Sequence, residues 1–164
     1  TGRCSARLAA ALGTSFSLSL LHTQAVADPT IITQDYYANF QPSAVRASPA
    51  HACIAVAGVC AETEAHARAL LRAHANPFVR PTLVGTPAHC YDGLMALCAR
   101  FAVTEVIVLD ICRDPAERKR SLELLAHACA LGSTTGSGPC RRTRPTSSTQ
   151  TTTAPPLARS PPVR

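Results

Sequence analysis

The chain has 164 residues, of which 46% are hydrophobic, 16% charged and 4% aromatic, with no Trp and a single Met; this excludes a coiled coil and a wholly unfolded chain, and the length suits one domain. The formal net charge is +6, but five of the sixteen basic residues (Arg141, Arg142, Arg144, Arg159, Arg164) follow Gly132 with no acid among them, so residues 1–131 hold eleven basic against ten acidic groups. A near-neutral body lacks the basic groove of a nucleic-acid reader, and no apolar run approaches the roughly 18 residues of a membrane span, so neither nucleic acid nor membrane is expected as a partner.

The first element is a short helix over Ser5–Leu12, dense in strong helix formers and stopped by Gly13. Ser15 to Leu20 then alternates polar and apolar with period two, which predicts a strand. Asp28-Pro29 supplies an N-cap and a first-turn proline for a helix with Ile32, Tyr36 and Phe40 four apart on one face, closed by Pro42.

A second cycle follows in the same order. Ala52 to Cys60 is almost unbroken small or apolar sequence, as expected of a strand in a parallel sheet covered on both faces. A helix over about Glu62 to His74 places Ala67, Leu70, Leu71 and His74 on one stripe, with acids in its first turn where the dipole favours them.

Residues between Asn76-Pro77 and Thr86-Pro87 read as a connection. The helix that Thr86-Pro87 announces carries Cys90, Leu94, Leu97, Cys98 and Phe101 as its core stripe. Glu105 to Asp110 is a compact buried strand, and Asp114-Pro115-Ala116-Glu117 caps a last helix that runs to about Leu131. The Ser/Thr/Pro/Arg-rich residues 132–164 have too few apolar groups to offset their ordering entropy and are expected to be a disordered tail.

Alternating strands and helices imply an α/β fold with parallel strands and right-handed crossovers. No G-x-G-x-x-G turn is present, so a dinucleotide-binding fold is not indicated. Three βα units in about 130 residues instead suit the C-terminal portion of a TIM (β/α)8 barrel, whose whole length is about 250 residues. The chain starts at Thr1 without a signal peptide's basic start or apolar centre. It is therefore expected to be the inner part of a longer cytoplasmic protein. The eight cysteines never occur as C-x-x-C and mostly lie in apolar stretches, which predicts buried free thiols; His89-Cys90 with Cys98 lacks zinc spacing, so no metal site is expected.

Five phrases, in order, resemble the bacterial luciferase-like flavin-dependent monooxygenases, a family of (β/α)8 barrels. Ser5-Ala6-Arg7-Leu8-Ala9-Ala10-Ala11-Leu12-Gly13 through Ser19 is similar to the family's helix and strand, where a "G-S-x-x-S-A" turn precedes "L-A-A-x-L-G-L-P-F". Tyr37 to Ser43 resembles "Y-R-x-x-F-x-P-S", and Val59 to Ala67 resembles the "A-D-T-x-x-E-A" element. Leu83 to Pro87 matches "V-G-[ST]-P", and Val103 to Leu125 is similar to the closing strand and its "R-x-x-S-x-x-L-L-A" helix. Ser15 and Thr104 depart from the family's usual Pro and Asp, and the stretch from Ala73 to Pro81 is short.

The resemblance implies reduced FMN supplied by a separate flavin reductase, or a deazaflavin in some relatives, and oxidation of a small organic substrate with dioxygen. It implies a homo-oligomer in the intact parent. It also implies that the turn Thr1-Gly2-Arg3-Cys4-Ser5 binds the flavin phosphate: Gly2, Arg3, Cys4 and Ser5 stand where backbone donors at a helix N-terminus meet a dianion, and Ser5 would also cap the helix. The barrel's first half, with the family's active-site His, is not in the chain, so no catalytic residue is assigned. The rival reading is a truncated or frame-disrupted, non-catalytic protein.

Other residues carry blander readings. His22, beyond Ser17 and Ser19, lines a pocket mouth or stands on a surface loop. Asp110 ends a strand, and Asp114 caps a helix. Arg113, Arg118, Lys119 and Arg120 form a solvated helix face, and Cys60 and Cys112 are core thiols with no base at motif spacing.

Overall fold

The computed structural model of the chain describes residues 2–22, 27–43, 49–74 and 76–131. The expected tail 132–164 lies outside the described residues. The elements follow as α1 (Arg3–Ala11), β1 (Phe16–Ser19), α2 (Thr30–Ala38), β2 (Ala52–Cys60), α3 (Glu64–Ala73), β3 (Pro81–Gly85), α4 (Pro87–Phe101), β4 (Glu105–Asp110) and α5 (Pro115–Ala128).

β2 is the axis of the sheet. One of its edges pairs with β4 from Cys53↔Glu105 to Gly58↔Asp110. Its other edge is shared end to end, by β1 over Phe16↔Ala52 to Ser19↔Ala55 and by β3 over Ala57↔Pro81 to Cys60↔Gly85. Every pairing is parallel. The sheet therefore has four strands where the alternation predicted three. β3 reads in the sequence as a connection because it is five residues long, begins on a proline and ends on a glycine, which leaves little periodicity.

In parallel register, paired residues share a face. Phe16, Leu18, Ala52, Ile54, Val56 and Leu83 form one core with Ala6 and Ala10 of α1, Ile32 and Tyr36 of α2, and Leu94 and Phe101 of α4, while Leu125 of α5 packs on it. The opposite face is closed only toward the carboxyl ends of the strands. There Ala57 and Val59 join Ile111 and Cys112, with Leu70 and Leu71 of α3 packed against them. Elsewhere that face is only partly covered: Cys53 is buried, but Ser17 is exposed, Ile107 is 49% exposed and Leu109 46%.

β4 is thus not the buried strand that its Val-Ile-Val-Leu sequence predicts. None of its six residues is fully buried. Among the described residues, β2 is its sole strand partner and no helix lies over Ile107 and Leu109. β2, by contrast, is buried at every position but Ala55.

The caps expected at Thr86 and Asp114 are present, whereas α2 begins at Thr30 with Pro29 rather than Asp28 in the cap position, Asp28 accepting from the Thr30 N–H. Thr63, Thr86 and Asp114 each accept a backbone N–H of the first helical turn through their side-chain oxygens, as Ser/Thr/Asp N-caps do. The α1 start differs from expectation: the helix begins at Arg3 with Gly2 as its cap, and Ser5 lies inside the first turn. The Leu-Ala-Ala-Ala pattern extends helical propensity backward, and with no acid or proline near Gly2 nothing in the sequence fixes the start. Gly13 ends the helix at φ +63, the left-handed conformation that glycine adopts without strain.

Candidate functional site

The expected phosphate turn is open at the α1 N-terminus. Gly2 has an extended backbone (φ −149, ψ −174), and a Cβ there would meet nothing within 4 Å. No side chain caps the helix, no acid stands in its first turn, and Cys4 and Ser5 are exposed. The first intrahelical bond runs from the Ala6 N–H to the Gly2 carbonyl at 3.1 Å, which leaves the N–H groups of Arg3, Cys4 and Ser5 facing outward with no helical acceptor. Thr1 lies outside the described residues.

Arg3 is placed otherwise than a phosphate ligand would require. Its Nε donates to Asp35 Oδ2 at 2.6 Å, and Arg7 stands 3.4 Å from the same carboxylate oxygen. The Arg3 hydrogen bond holds the Asp35 carboxyl below its ordinary range and raises the guanidinium in turn. Ser5 loses its expected role as helix cap, though its hydroxyl stays at the exposed turn.

His22 is exposed and its Nδ1 lies 2.9 Å from the Phe78 carbonyl, a loop-to-loop contact rather than a catalytic pairing. Ser17 and Ser19 lie on the partly open sheet face.

Asp110 is engaged in structure. Its Oδ1 accepts from the Cys112 N–H at 2.8 Å, and its Oδ2 accepts from the buried Ser121 hydroxyl at 2.5 Å. The Ser121 oxygen also accepts from the Cys60 N–H at 2.9 Å, so one serine ties α5 to the ends of β2 and β4. That role was not inferred from the sequence, where Ser121 sits in a charged run; only its place in the "R-x-x-S-x-x-L-L-A" phrase marks it.

Asp114 is the α5 cap as expected, with Oδ1 accepting from Ala116 N at 2.8 Å and Glu117 N at 3.0 Å. Within the basic run, Arg120 pairs with Glu62 at 2.6 Å, Lys119 stands 3.9 Å from Glu123, and Arg118 donates twice to the Cys112 carbonyl. Arg120 thus binds across the fold, and Arg118 fastens the segment just before its own helix, rather than only facing solvent.

All seven cysteines among the described residues are free, and Cys53, Cys60, Cys90 and Cys112 are buried. Burial, with Cys90 beside it, pushes the Cys60 thiol up to about 12; burial together with Asp110 does the same to Cys112. At pH 8 iodoacetamide is expected to label Cys4 at once and to spare Cys60 and Cys112 until the chain unfolds. Rapid native labelling of either, followed by peptide mass analysis, would overturn this. The sign of the linkage follows: above the ordinary thiol value of 9.0 the unfolded chain releases these protons and the folded chain keeps them. Stability is therefore lost as pH climbs from 9.0 toward about 12.

Among the described residues no group of three or more His, Cys, Asp and Glu is placed to hold a metal ion, and no helix is long and apolar enough to cross a membrane.

No family model matches the chain, and no curated protein matches its sequence. Solved structures do share its fold. Apo-MsnO8 superposes with a TM-score of 0.64 and 22% identity, over 80% of this chain and 49% of that one. The monooxygenase RslO1 from Streptomyces bottropensis superposes with a TM-score of 0.59 and 18% identity, over 79% of this chain and 45% of that one. The chain spans about half the length of the solved structures it matches.

Proposed function

We infer that the chain is the C-terminal part of a (β/α)8 barrel of a luciferase-like flavin-dependent monooxygenase, contributing the phosphate end of the flavin site. The observation that carries this reading is the shared fold with a solved monooxygenase over 79% of the chain, joined to five family-like phrases in the same chain order. The parallel pairing of β1 with β2 and of β2 with β4 supports it, with β3 inserted between them and paired on the β1 edge rather than continuing the barrel order. So does the half-open sheet face, because barrel strands turn one face to helices and the other to the lumen.

The α1 turn fits a flavin phosphate. Backbone N–H groups of Arg3, Cys4 and Ser5 would hold the dianion at the positive end of the helix, the Ser5 hydroxyl would add a donor, and Gly2 would keep the approach clear. Arg3 would contribute long-range positive charge while remaining paired with Asp35. Reduced FMN, once bound, would supply the electrons with which dioxygen oxidises a small organic substrate. What this segment would do is bind and orient the flavin.

Titration of the chain with FMN and with riboflavin tests the reading. FMN is expected to bind more tightly, since only FMN carries the phosphate. Ser5→Ala should weaken FMN binding by about 1.5–3 kcal/mol, one to two powers of ten, through one lost charge-assisted hydrogen bond. Gly2→Val should weaken it further by obstructing the turn, without backbone strain, because φ −149 suits any residue. His22→Ala should have the smallest effect. Equal affinity for both flavins, or turn variants that bind FMN like the parent, would sink the assignment.

A further inference from the structure

The sheet face turned away from α1, α2, α4 and α5 is stepped from one edge to the other. Parallel register sorts its residues into levels: Ser17 of β1, Cys53 of β2 and Glu105 of β4 stand side by side, and two residues further along stand Ser19, Ala55 and Ile107. At the next level Leu109 stands beside Ala57, which the cluster of Ile111 and Leu70 already covers. β1 and β2 therefore offer only small side chains on the uncovered part, whereas β4 raises Ile107 and Leu109, each about half exposed. Small residues beside large ones make a trough beside a ridge. Ser17 is exposed and Ala55 half-buried, so the trough is open to a partner.

Three observations select a second copy of this chain as that partner. The step is self-complementary: a twofold axis running along the strands sets β4 of each copy over β1 and β2 of the other. Such an axis preserves height along the strands, so it brings Ile107 of one copy down on Ala55 and Ser19 of the other. Aligned sheets pack about 10 Å apart, a gap that a large side chain over a small one fills.

Charge does not oppose the contact. Residues 1–131 hold eleven basic against ten acidic groups, so two copies repel little. Glu105 lies at the rim of the face, its Oε2 3.2 Å from His51 Nε2. The other route to a pair of copies, antiparallel pairing along the free edge of β4, sets Glu105 and Asp110 from the two ends of the strand opposite each other, where like charges destabilise a strand pair.

We propose that two copies of this chain associate through this face about a twofold axis parallel to the strands, the Ile107–Leu109 ridge of each seated in the trough of Ser17, Ser19, Cys53 and Ala55 of the other. The contact spans three strands by the six residues of β4, which makes it weak and reversible rather than obligate. It concerns the chain of 164 residues as it stands. Its test involves no flavin, so it stands or falls apart from the barrel reading.

Sedimentation velocity of the full chain over about 10 to 500 µM, a range that spans weak association, is the test. The parent is expected to pass from monomer to dimer as concentration rises. Ile107→Glu and Ala55→Lys should each stay monomeric over that range, because each sets an unpaired charge against apolar surface and lowers affinity at least about tenfold. Mixed in equal amounts, the two variants should recover a dimer with one copy of each, since the two introduced charges then face each other with opposite sign. Leu122→Glu, at an exposed position of α5, should associate like the parent. Circular dichroism checks that each variant folds, and the concentration dependence of the parent decides even where one does not. A parent that is monomeric at every concentration would overturn the proposal, as would a mixture that stays monomeric. Association that grows beyond the dimer, or that Ala55→Lys leaves intact, would mark pairing along the β4 edge and overturn it equally.

Discussion

Tyr36→Ala is expected to unfold the chain, or to leave a species without a cooperative thermal transition. Tyr36 is completely buried where α2 meets the sheet. Its ring stacks on Phe16 with centroids 5.5 Å apart, and meets Tyr37 and Phe40 edge-on at 5.3 and 5.7 Å. Its hydroxyl donates to the Thr14 carbonyl at 2.9 Å and accepts from the His51 N–H at 3.1 Å. Those two bonds fasten together the segments that lead into β1 and β2, just before their first paired residues, Phe16 and Ala52.

Truncating a large buried side chain costs about 3–5 kcal/mol. Small domains hold only about 5–15 kcal/mol in total, and a half-open sheet face puts this one toward the low end. Tyr36→Phe separates the contributions: it keeps the ring packing and loses only the hydroxyl, at about 1–3 kcal/mol. Urea unfolding followed by circular dichroism reads both variants. A Tyr36→Ala chain as stable as the parent would mean that the aromatic cluster is not what holds α2 to the sheet.

Sequence legibility varied with how local each interaction is. Ala52–Cys60 and Glu105–Asp110 were found to the residue, because a run of apolar and β-branched residues between breakers is a strand signal that needs no knowledge of neighbours. Thr86-Pro87 and Asp114-Pro115 were read correctly as helix starts for the same reason. Burial was harder. Val106 and Val108 face a helix layer while Ile107 and Leu109 face an open surface, and nothing in Val-Ile-Val-Leu distinguishes the two sides.

The candidate sites divide in the same way. The turn at Gly2 is named through the family resemblance, because the helix start itself carries no mark in the sequence. That Arg3 is drawn to Asp35, thirty-two residues away, could not be read there. The sequence reads His74 as the last residue of its helix's inner stripe, whereas the helix closes at Ala73 and His74 is its C-cap. Only the fold shows that its Nε2 is buried without a hydrogen-bond partner.

Gly58→Val should be nearly as damaging as loss of Tyr36, by the opposite route. Between Ala55 and Ala57, just before Gly58, β2 passes from β1 to β3 as its neighbour, and the register slips between Ala57↔Pro81 and Gly58↔Leu83, leaving Thr82 as an extra residue in β3. The two backbones come so close at this slip that a Cβ on residue 58 would lie 2.7 Å from Leu83 Cβ and closer still to the Leu83 carbonyl oxygen. The obstructing oxygen belongs to the main chain, so no rotamer change relieves the clash. Either β3 moves off the sheet or β2 bends. Moving β3 would also pull Leu83 from the core that it shares with Leu94. Overpacking typically costs about 1–3 kcal/mol, and a β-branched residue pressed against backbone is expected at or above the top of that range. Gly2→Val is the control, since a side chain there meets open space and should leave the melting curve unchanged. Hydrogen exchange locates the damage: in Gly58→Val the β3 amides should lose protection ahead of those shared by β2 and β4. Uniform protection at parental levels in both variants would show that the strands separate at Gly58 without cost, and that β3 is not an integral part of the sheet.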